Sequence, residues 1–171
     1  LNIGRFTEQK DQLTFLKSLN FLKDKINFEA RIIGRGELKN RLQKYIDTNE
    51  LKSYVKILNF KTNPYPFIKQ TDVFVLSSRY EGLPNVILES LVLRKFVISS
   101  RCSTGPKEIL LNGKGGLLFS VGNYMELASK IIYFYNNKKK SKLMLAKAYY
   151  SLDRFDLAMT LTENILHTKI Q

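Results

Sequence analysis

The chain has 171 residues, 44% hydrophobic and 25% charged, enough for one domain of ordinary size that buries about 70% of the surface its unfolded form exposes. Lys and Arg number 28 against 15 Asp and Glu, a net charge of +13 that favours anionic partners without choosing among nucleic acid, an acidic leaflet and a phosphorylated ligand. The single cysteine, Cys102, excludes an internal disulfide and a cysteine metal cluster, and no apolar run reaches the roughly 18 residues of a membrane span.

In chain order, short β-rich runs alternate with longer amphipathic segments. Strands are predicted at Leu1 to Gly4, Glu29 to Ile33, Tyr54 to Leu58, Val73 to Leu76, Phe96 to Ser99 and Gly116 to Phe119. Helical patterns occupy Gln12 to Leu22, Leu38 to Thr48, Tyr65 to Lys69, Asn85 to Leu93 and Pro106 to Leu111. This alternation predicts an α/β fold: a Rossmann-like, doubly wound parallel sheet of six strands with helices on both faces. The near-continuous apolar run of DVFVLSS places the fourth strand near the sheet centre, buried on both sides. From Asn123 to His167 the alternation stops, and three helices are expected, with breaks near NNKKKS and near Ser151 to Asp156. Residues 1–171 read as one domain without a linker. LNIGRF opens inside a strand pattern with no initiator Met, as expected of a piece of a longer protein.

In open sheets of this kind, ligands bind beyond the carboxyl ends of the strands, where helix N-termini present free N–H groups and a positive dipole end. Four strand exits stand out. In GRFTEQK, Gly4 lets the chain turn, and Arg5 and Lys10 bracket a loop in which two cations would clamp a diphosphate. Taken alone, the pair reads rather as solvated charge. In IIGRGELKNRL, Gly34 and Gly36 lie between strand and helix, but Lys39 stands where a dinucleotide fingerprint needs its third glycine. Gly34 either serves a tight turn or lets a base or ribose approach the backbone.

The third exit, RYEGLPNVILESL, is the most informative. Pro84 or Asn85 opens a helix, so the backbone N–H groups of Gly82, Leu83, Pro84's neighbour Asn85 and Val86 form a phosphate cradle. Glu81 precedes the helix, whereas Glu89 lies about 6 Å along its axis. They cannot serve the same ligand atom. Two carboxylates flanking a phosphate cradle suit a nucleotide-sugar, with Glu89 on ribose hydroxyls and Glu81 on the sugar. An apolar setting, between VIL and SLVL, argues against an idle Glu89. The fourth exit, STGPKEIL, offers a second anion-facing N-terminus at Thr104-Gly105-Pro106, or simply a turn. Cys102 reads as a small buried hydrophobe.

These four elements, in this order, resemble the C-terminal nucleotide-binding half of GT-B glycosyltransferases, specifically glycosyltransferase family four, over nearly the whole chain. IGRF..QK is similar to the family's Gly-Arg followed by Lys, EGLPNVILE to its Glu, seven residues, Glu signature, and STGPKEIL..GKGGLLF to its next helix and strand. The resemblance implies a retaining hexosyltransferase that works without a metal or other cofactor. Arg5 and Lys10 would neutralise the diphosphate of a donor, UDP-linked by default. Gly82, Leu83, Pro84, Asn85 and Val86 would hold it, Glu89 the ribose, and Glu81 the transferred sugar. The loop after the third strand, with Phe60, Lys61 and Asn63, would contact the base. The acceptor would be a glycan or lipid-linked carrier in cell-envelope polysaccharide synthesis, and the location the cytoplasm or the cytoplasmic membrane face. The missing N-terminal half would supply the acceptor site, so the chain alone should bind nucleotide and turn over little. One departure is Asp11, where many relatives carry Gly or Asn.

Two rivals remain open from sequence: a sugar-nucleotide epimerase of GT-B architecture, and a non-catalytic nucleotide-binding module. Nucleic acid is not expected, since no reader motif accompanies the charge. Lys138, Lys139, Lys140 and Lys142 read either as a contact to an anionic membrane or as a solvated turn. His167 reads as structural.

Overall fold

The structure is a computed structural model that describes residues 1–155 and residue 160. Its strands are β1 (Asn2–Ile3), β2 (Ala30–Gly34), β3 (Val55–Asn59), β4 (Val73–Leu76), β5 (Phe96–Ser100) and β6 (Leu117–Phe119). Its helices are α1 (Gln12–Leu22), α2 (Lys39–Thr48), α3 (Tyr65–Lys69), α4 (Asn85–Val92), α5 (Pro106–Ile109), α6 (Tyr124–Asn136) and α7 (Lys138–Tyr149). Two parallel three-stranded sheets form, ordered β1-β2-β3 and β4-β5-β6. They meet where β4 lies along β1: the Val75 N–H donates to Leu1 O at 2.8 Å, and Asn2 Nδ2 donates to Val75 O at 2.9 Å. The sheet therefore reads β3-β2-β1-β4-β5-β6, and the expected parallel α/β fold is present.

Strand alternation divides the core. Ile32, Val75, Ile98 and Phe119 pack with Phe15, Leu16, Leu42 and Leu127 of α1, α2 and α6. Ile33, Phe74, Leu76, Val97 and Leu118 face the other way, onto Ile68, Leu88, Leu91 and Ile109 of α3, α4 and α5. Phe74, Val75 and Leu76 are at most 1% exposed, so β4 is the doubly covered central strand that DVFVLSS predicts.

Differences from the sequence reading are local and have causes. β1 is shorter than Leu1 to Gly4, because at Gly4 the chain already bends towards α1. Leu38 is the N-cap of α2 rather than its first residue, and Leu93 the C-cap of α4. The helix expected at Pro106 to Leu111 stops at Ile109 and passes into a 3-10 turn, Leu111–Gly113, in which Leu111 and Asn112 take positive φ. The break at NNKKKS is a single residue, Asn137, so the four lysines lie in the first turns of α7 and not in an interhelical turn. The second break is present as the 3-10 turn Leu152–Arg154. The third helix expected after Asp156 falls, except for Thr160, outside the described residues, as does His167.

Candidate nucleotide-binding site

At the carboxyl end of the sheet the loops after β1 and β4 are laced together. The Arg79 N–H donates to Gln9 O at 2.8 Å, Gln9 Nε2 donates to Tyr80 O at 3.1 Å, and the Ser77 hydroxyl donates to Lys10 O at 3.0 Å. Asp11 anchors this lacing. It caps α1 by accepting from Thr14 N–H at 3.2 Å and from the Thr14 hydroxyl at 2.9 Å, and it pairs with the Arg79 guanidinium at 3.3 Å. Its φ of 45° is left-handed, a conformation that Gly and Asn adopt most readily and Asp tolerates. The departure noted at this position is thus an acid doing what the backbone requires there, with an added ion pair.

This lacing brings two of the predicted residues into direct contact. Lys10 Nζ lies 2.5 Å from Glu81 Oε1, and the Ser78 hydroxyl donates to the same oxygen at 2.6 Å. Both side chains are largely buried, with 18% of Lys10 and 8% of Glu81 exposed. Because both donors use Oε1, the other carboxylate oxygen is left as the acceptor. Ser78 is itself fixed from below. Its carbonyl accepts from the Ser100 hydroxyl at 2.6 Å and from the Cys102 thiol at 3.3 Å. Cys102 is buried as expected, yet it is also a hydrogen-bonding member of the site's floor. Burial pushes its thiol above the usual range.

Glycines set the spacing of the loops. A Cβ on Gly105, whose φ is +71°, would sit 1.9 Å from Gly82 O, and the Thr104 hydroxyl donates to Glu81 O at 2.7 Å. The stretch read as a second anion-facing N-terminus or simply a turn buttresses the EGLP loop, ahead of a helix of only four residues. A Cβ on Gly34 would sit 1.9 Å from Gly4 O. The need for glycine there is met inside the protein, by the close approach of the β1 and β2 exits.

The start of α4 is open. Pro84 is the N-cap and supplies no side-chain hydrogen bond, while Gly82, Leu83 and Asn85 are exposed. Glu89 sits one turn in, half-buried, with no hydrogen bond or ion pair to its carboxylate among the described residues. Burial holds its carboxyl above the ordinary range. Tyr65 of α3 is raised too, first by burial and then by the Glu89 charge. Tyr65 thus lies within electrostatic reach of Glu89, a relation the sequence reading missed.

The remaining candidates are spread along the same edge. Arg5 is exposed at the mouth of β1 and pairs with no acid among the described residues. Phe60, 52% exposed, carries the Arg35 guanidinium 4.8 Å from its ring centre. Lys61 lies 5.8 Å from the Phe67 ring. Asn63 is exposed, and its Oδ1 accepts from the Tyr65 N–H at 3.1 Å at the start of α3. Cavities of about 310 and 340 Å³ open at the opposite, amino ends of the strands, apart from the shelf that these candidates form at the carboxyl ends.

A family model described as glycosyl transferases group 1 matches residues 1–150. An uncharacterized glycosyltransferase of Methanocaldococcus jannaschii is 46% identical over 111 residues, 64% of this chain and 27% of that protein. A Campylobacter jejuni N-acetylgalactosaminyltransferase acting on a diphospho-undecaprenol-linked sugar is 27% identical over 91% of this chain and 42% of its own length. The chain thus spans less than half the length of these relatives. Among solved structures, Anabaena HepE in complex with UDP superposes with a TM-score of 0.82 at 22% identity, over 98% of this chain and 47% of that one. The C-terminal domain of a Francisella tularensis group 1 glycosyl transferase, LpcC, gives a TM-score of 0.77 at 20% identity, covering 90% of this chain and 84% of that domain.

Proposed function

The chain belongs to the glycosyl transferases group 1 family, and on that premise we propose that it is the donor-binding half of a retaining glycosyltransferase that works without a metal. The donor is a nucleotide-diphospho-sugar, UDP-linked. The observation that carries this reading is the Lys10, Glu81, Ser78 cluster beside the uncapped start of α4. Among the described residues, a cation, an acid with one unpaired oxygen and unpaired N–H groups stand there within one loop system.

Each residue then has a task. The free N–H groups around Gly82 to Val86 and the α4 dipole receive the diphosphate. Lys10 spans Glu81 and the bridging oxygen of the departing UDP, and Arg5 adds the positive charge that the neutral Lys10–Glu81 pair lacks. Charge developing on the leaving diphosphate is stabilised by groups already in place. The outer oxygen of Glu81 accepts from hydroxyls of the transferred hexose, which orients its anomeric carbon. Glu89 has no internal partner to give up when it accepts from the ribose. Phe60, with Arg35 stacked on it, and Lys61 border the base, whereas Gly34 and Asn63 act through backbone shape.

The acceptor side belongs to the part of the protein that this chain does not span. By analogy with the Campylobacter relative, the acceptor is a lipid-linked or free glycan of the cell envelope. Among the described residues no helix is long and apolar enough to cross a membrane, and reaching such a carrier would take peripheral contact. Calorimetric titration with UDP, GDP and ADP tests the reading. UDP should bind, and Arg5→Ala and Glu89→Gln should each weaken it about tenfold, the loss of one charge-assisted contact. Equal affinity in both variants and wild type overturns the site assignment.

A further inference from the structure

The 340 Å³ cavity lies at the amino ends of β4 and β5, the opposite end of the sheet from the donor shelf. Thr71 and Asp72 run into β4, Arg94 and Lys95 into β5, and one face of α7 closes the side with Lys138, Ser141, Lys142 and Leu145. Four cations, Arg94, Lys95, Lys138 and Lys142, therefore ring it, against Asp72 as the acid in its wall. None of the four is in an ion pair among the described residues. Two are held by aromatic rings: Arg94 lies 3.9 Å from the Tyr149 ring centre and Lys138 lies 3.7 Å from that of Phe134.

Two features make this more than a basic patch. The first is that α7 starts against its own dipole. Lys138, Lys139 and Lys140 fill its first turn, no acid stands there, and Asn137 gives it no side-chain cap because its amide donates to Tyr133 O at 2.9 Å. Cations at a helix N-terminus are unfavourable unless an anion answers them. The second is Ser141, only 2% exposed, which borders the cavity with an Oγ that has no hydrogen-bond partner among the described residues. A buried hydroxyl left unpaired is costly, and at this place a ligand oxygen would satisfy it.

The floor is apolar: Phe96 and Phe134 are stacked with ring centres 5.0 Å apart, beside Leu145. We propose that this cavity is a second anion site, one that takes a phosphate ester, its phosphate among Lys95, Lys138, Lys142 and the Ser141 hydroxyl, its organic part on Phe96 and Phe134. Phosphate suits it better than a carboxylate, since several oxygens are needed to meet cations on two sides of the opening. The inference rests on α7 and the strand starts, and it stands whether or not the donor shelf binds UDP.

Amide resonances of the full 171-residue chain report on the site directly. Titrated with pyrophosphate at low salt, Lys95, Ser141 and Lys142 should shift saturably. The Lys95→Met/Lys142→Met variant, which keeps the aliphatic stems, should lower the affinity roughly tenfold or more, as expected for losing two charge-assisted contacts. Lys44→Met/Lys56→Met, the same charge loss elsewhere, should not. Ser141→Ala, a change too small to unfold α7, should weaken binding on its own. Cosedimentation with phosphatidylglycerol but not phosphatidylcholine vesicles, lost in the Lys95/Lys142 variant, identifies a lipid headgroup as the source. Pyrophosphate binding without sedimentation identifies a soluble ester. Shifts no larger than those from chloride at equal ionic strength, or an equal loss in both double variants, overturn the proposal.

Discussion

Lys10→Met isolates the contact at the centre of the site. Removing one partner of a buried ion pair costs about 3–5 kcal/mol, because the other charge is left without compensation. Here Lys10 retains 18% exposure and Glu81 8%, and the Ser78 hydroxyl still donates to the stranded carboxylate. Water and that hydroxyl together lower the expected cost to about 2–3 kcal/mol. For a chain of this size that is a fall in Tm of roughly 5–10 °C. Adding Glu81→Gln should restore most of the loss, to within about 1 kcal/mol of wild type, since the lone buried charge is then gone. UDP affinity should fall in Lys10→Met and stay low in the double variant, because the diphosphate has lost its cation in both. Thermal unfolding of wild type, both single variants and the double variant, with UDP titration of each, completes the cycle. If the two substitutions add without coupling, the pair contributes nothing and the geometry has been misjudged.

Three further outcomes follow from the same loops. Gly105→Ala places a Cβ 1.9 Å from Gly82 O at a φ of +71°; left-handed strain alone costs about 1–2 kcal/mol, so denaturant melts should show at least that loss, and an unchanged midpoint contradicts the buttress. Asp11→Ala removes a helix cap worth about 1 kcal/mol from a left-handed position, whereas Asp11→Asn keeps both cap and conformation; equal destabilisation of the two refutes the capping role. Burial raises the Glu89 carboxyl above its ordinary 4.5, so the folded chain holds that proton where the unfolded chain has released it, and the group weighs against folding increasingly as pH rises through its folded-state value. Glu89→Gln should therefore unfold at a higher temperature than wild type near neutral pH, with the gap closing below 4.5, while it binds UDP more weakly; a gap that grows in acid contradicts the burial argument.

The fold was legible because each strand announces itself by composition, and a parallel sheet with helices between its strands leaves few topologies. The acids at Glu81 and Glu89 were legible because a Gly-Leu-Pro turn between a buried run and a helix can only lie at a strand exit. Sequence spacing could not show that Lys10 reaches Glu81 across the sheet, seventy-one positions away, or that Ser78, Ser100, Cys102 and Thr104 support it. Those contacts depend on β4 lying beside β1, and small polar residues carry no periodic signal. The left-handed Asp11 was readable in principle, from an acid directly before a helical pattern, but only dihedral angles separate that cap from an ordinary one. For Thr104-Gly105 the sequence left a ligand-facing helix end and a plain turn both open, and the structure shows a loop resting on a loop, with the glycine packed against Gly82 O.

That loop-on-loop contact bears on how the site would work. Besides the Lys10–Glu81 pair, four hydrogen bonds and a second ion pair join the β1 and β4 exits or fix Glu81 within them, and the β5 exit supports both from beneath through Ser100, Cys102 and Thr104. None of these bonds involves the α4 start or the outer oxygen of Glu81, so a diphosphate and a sugar can take their places without breaking any of them. The conformational ordering that often consumes part of a ligand's binding free energy is therefore already complete on this half. On the proposed reading, what the donor adds is a competitor for Lys10, whose ammonium would divide itself between Glu81 and a phosphate. On that reading, the group that holds Glu81 in place is the same one that answers the leaving diphosphate, and loss of Lys10 should impair sugar placement and departure together.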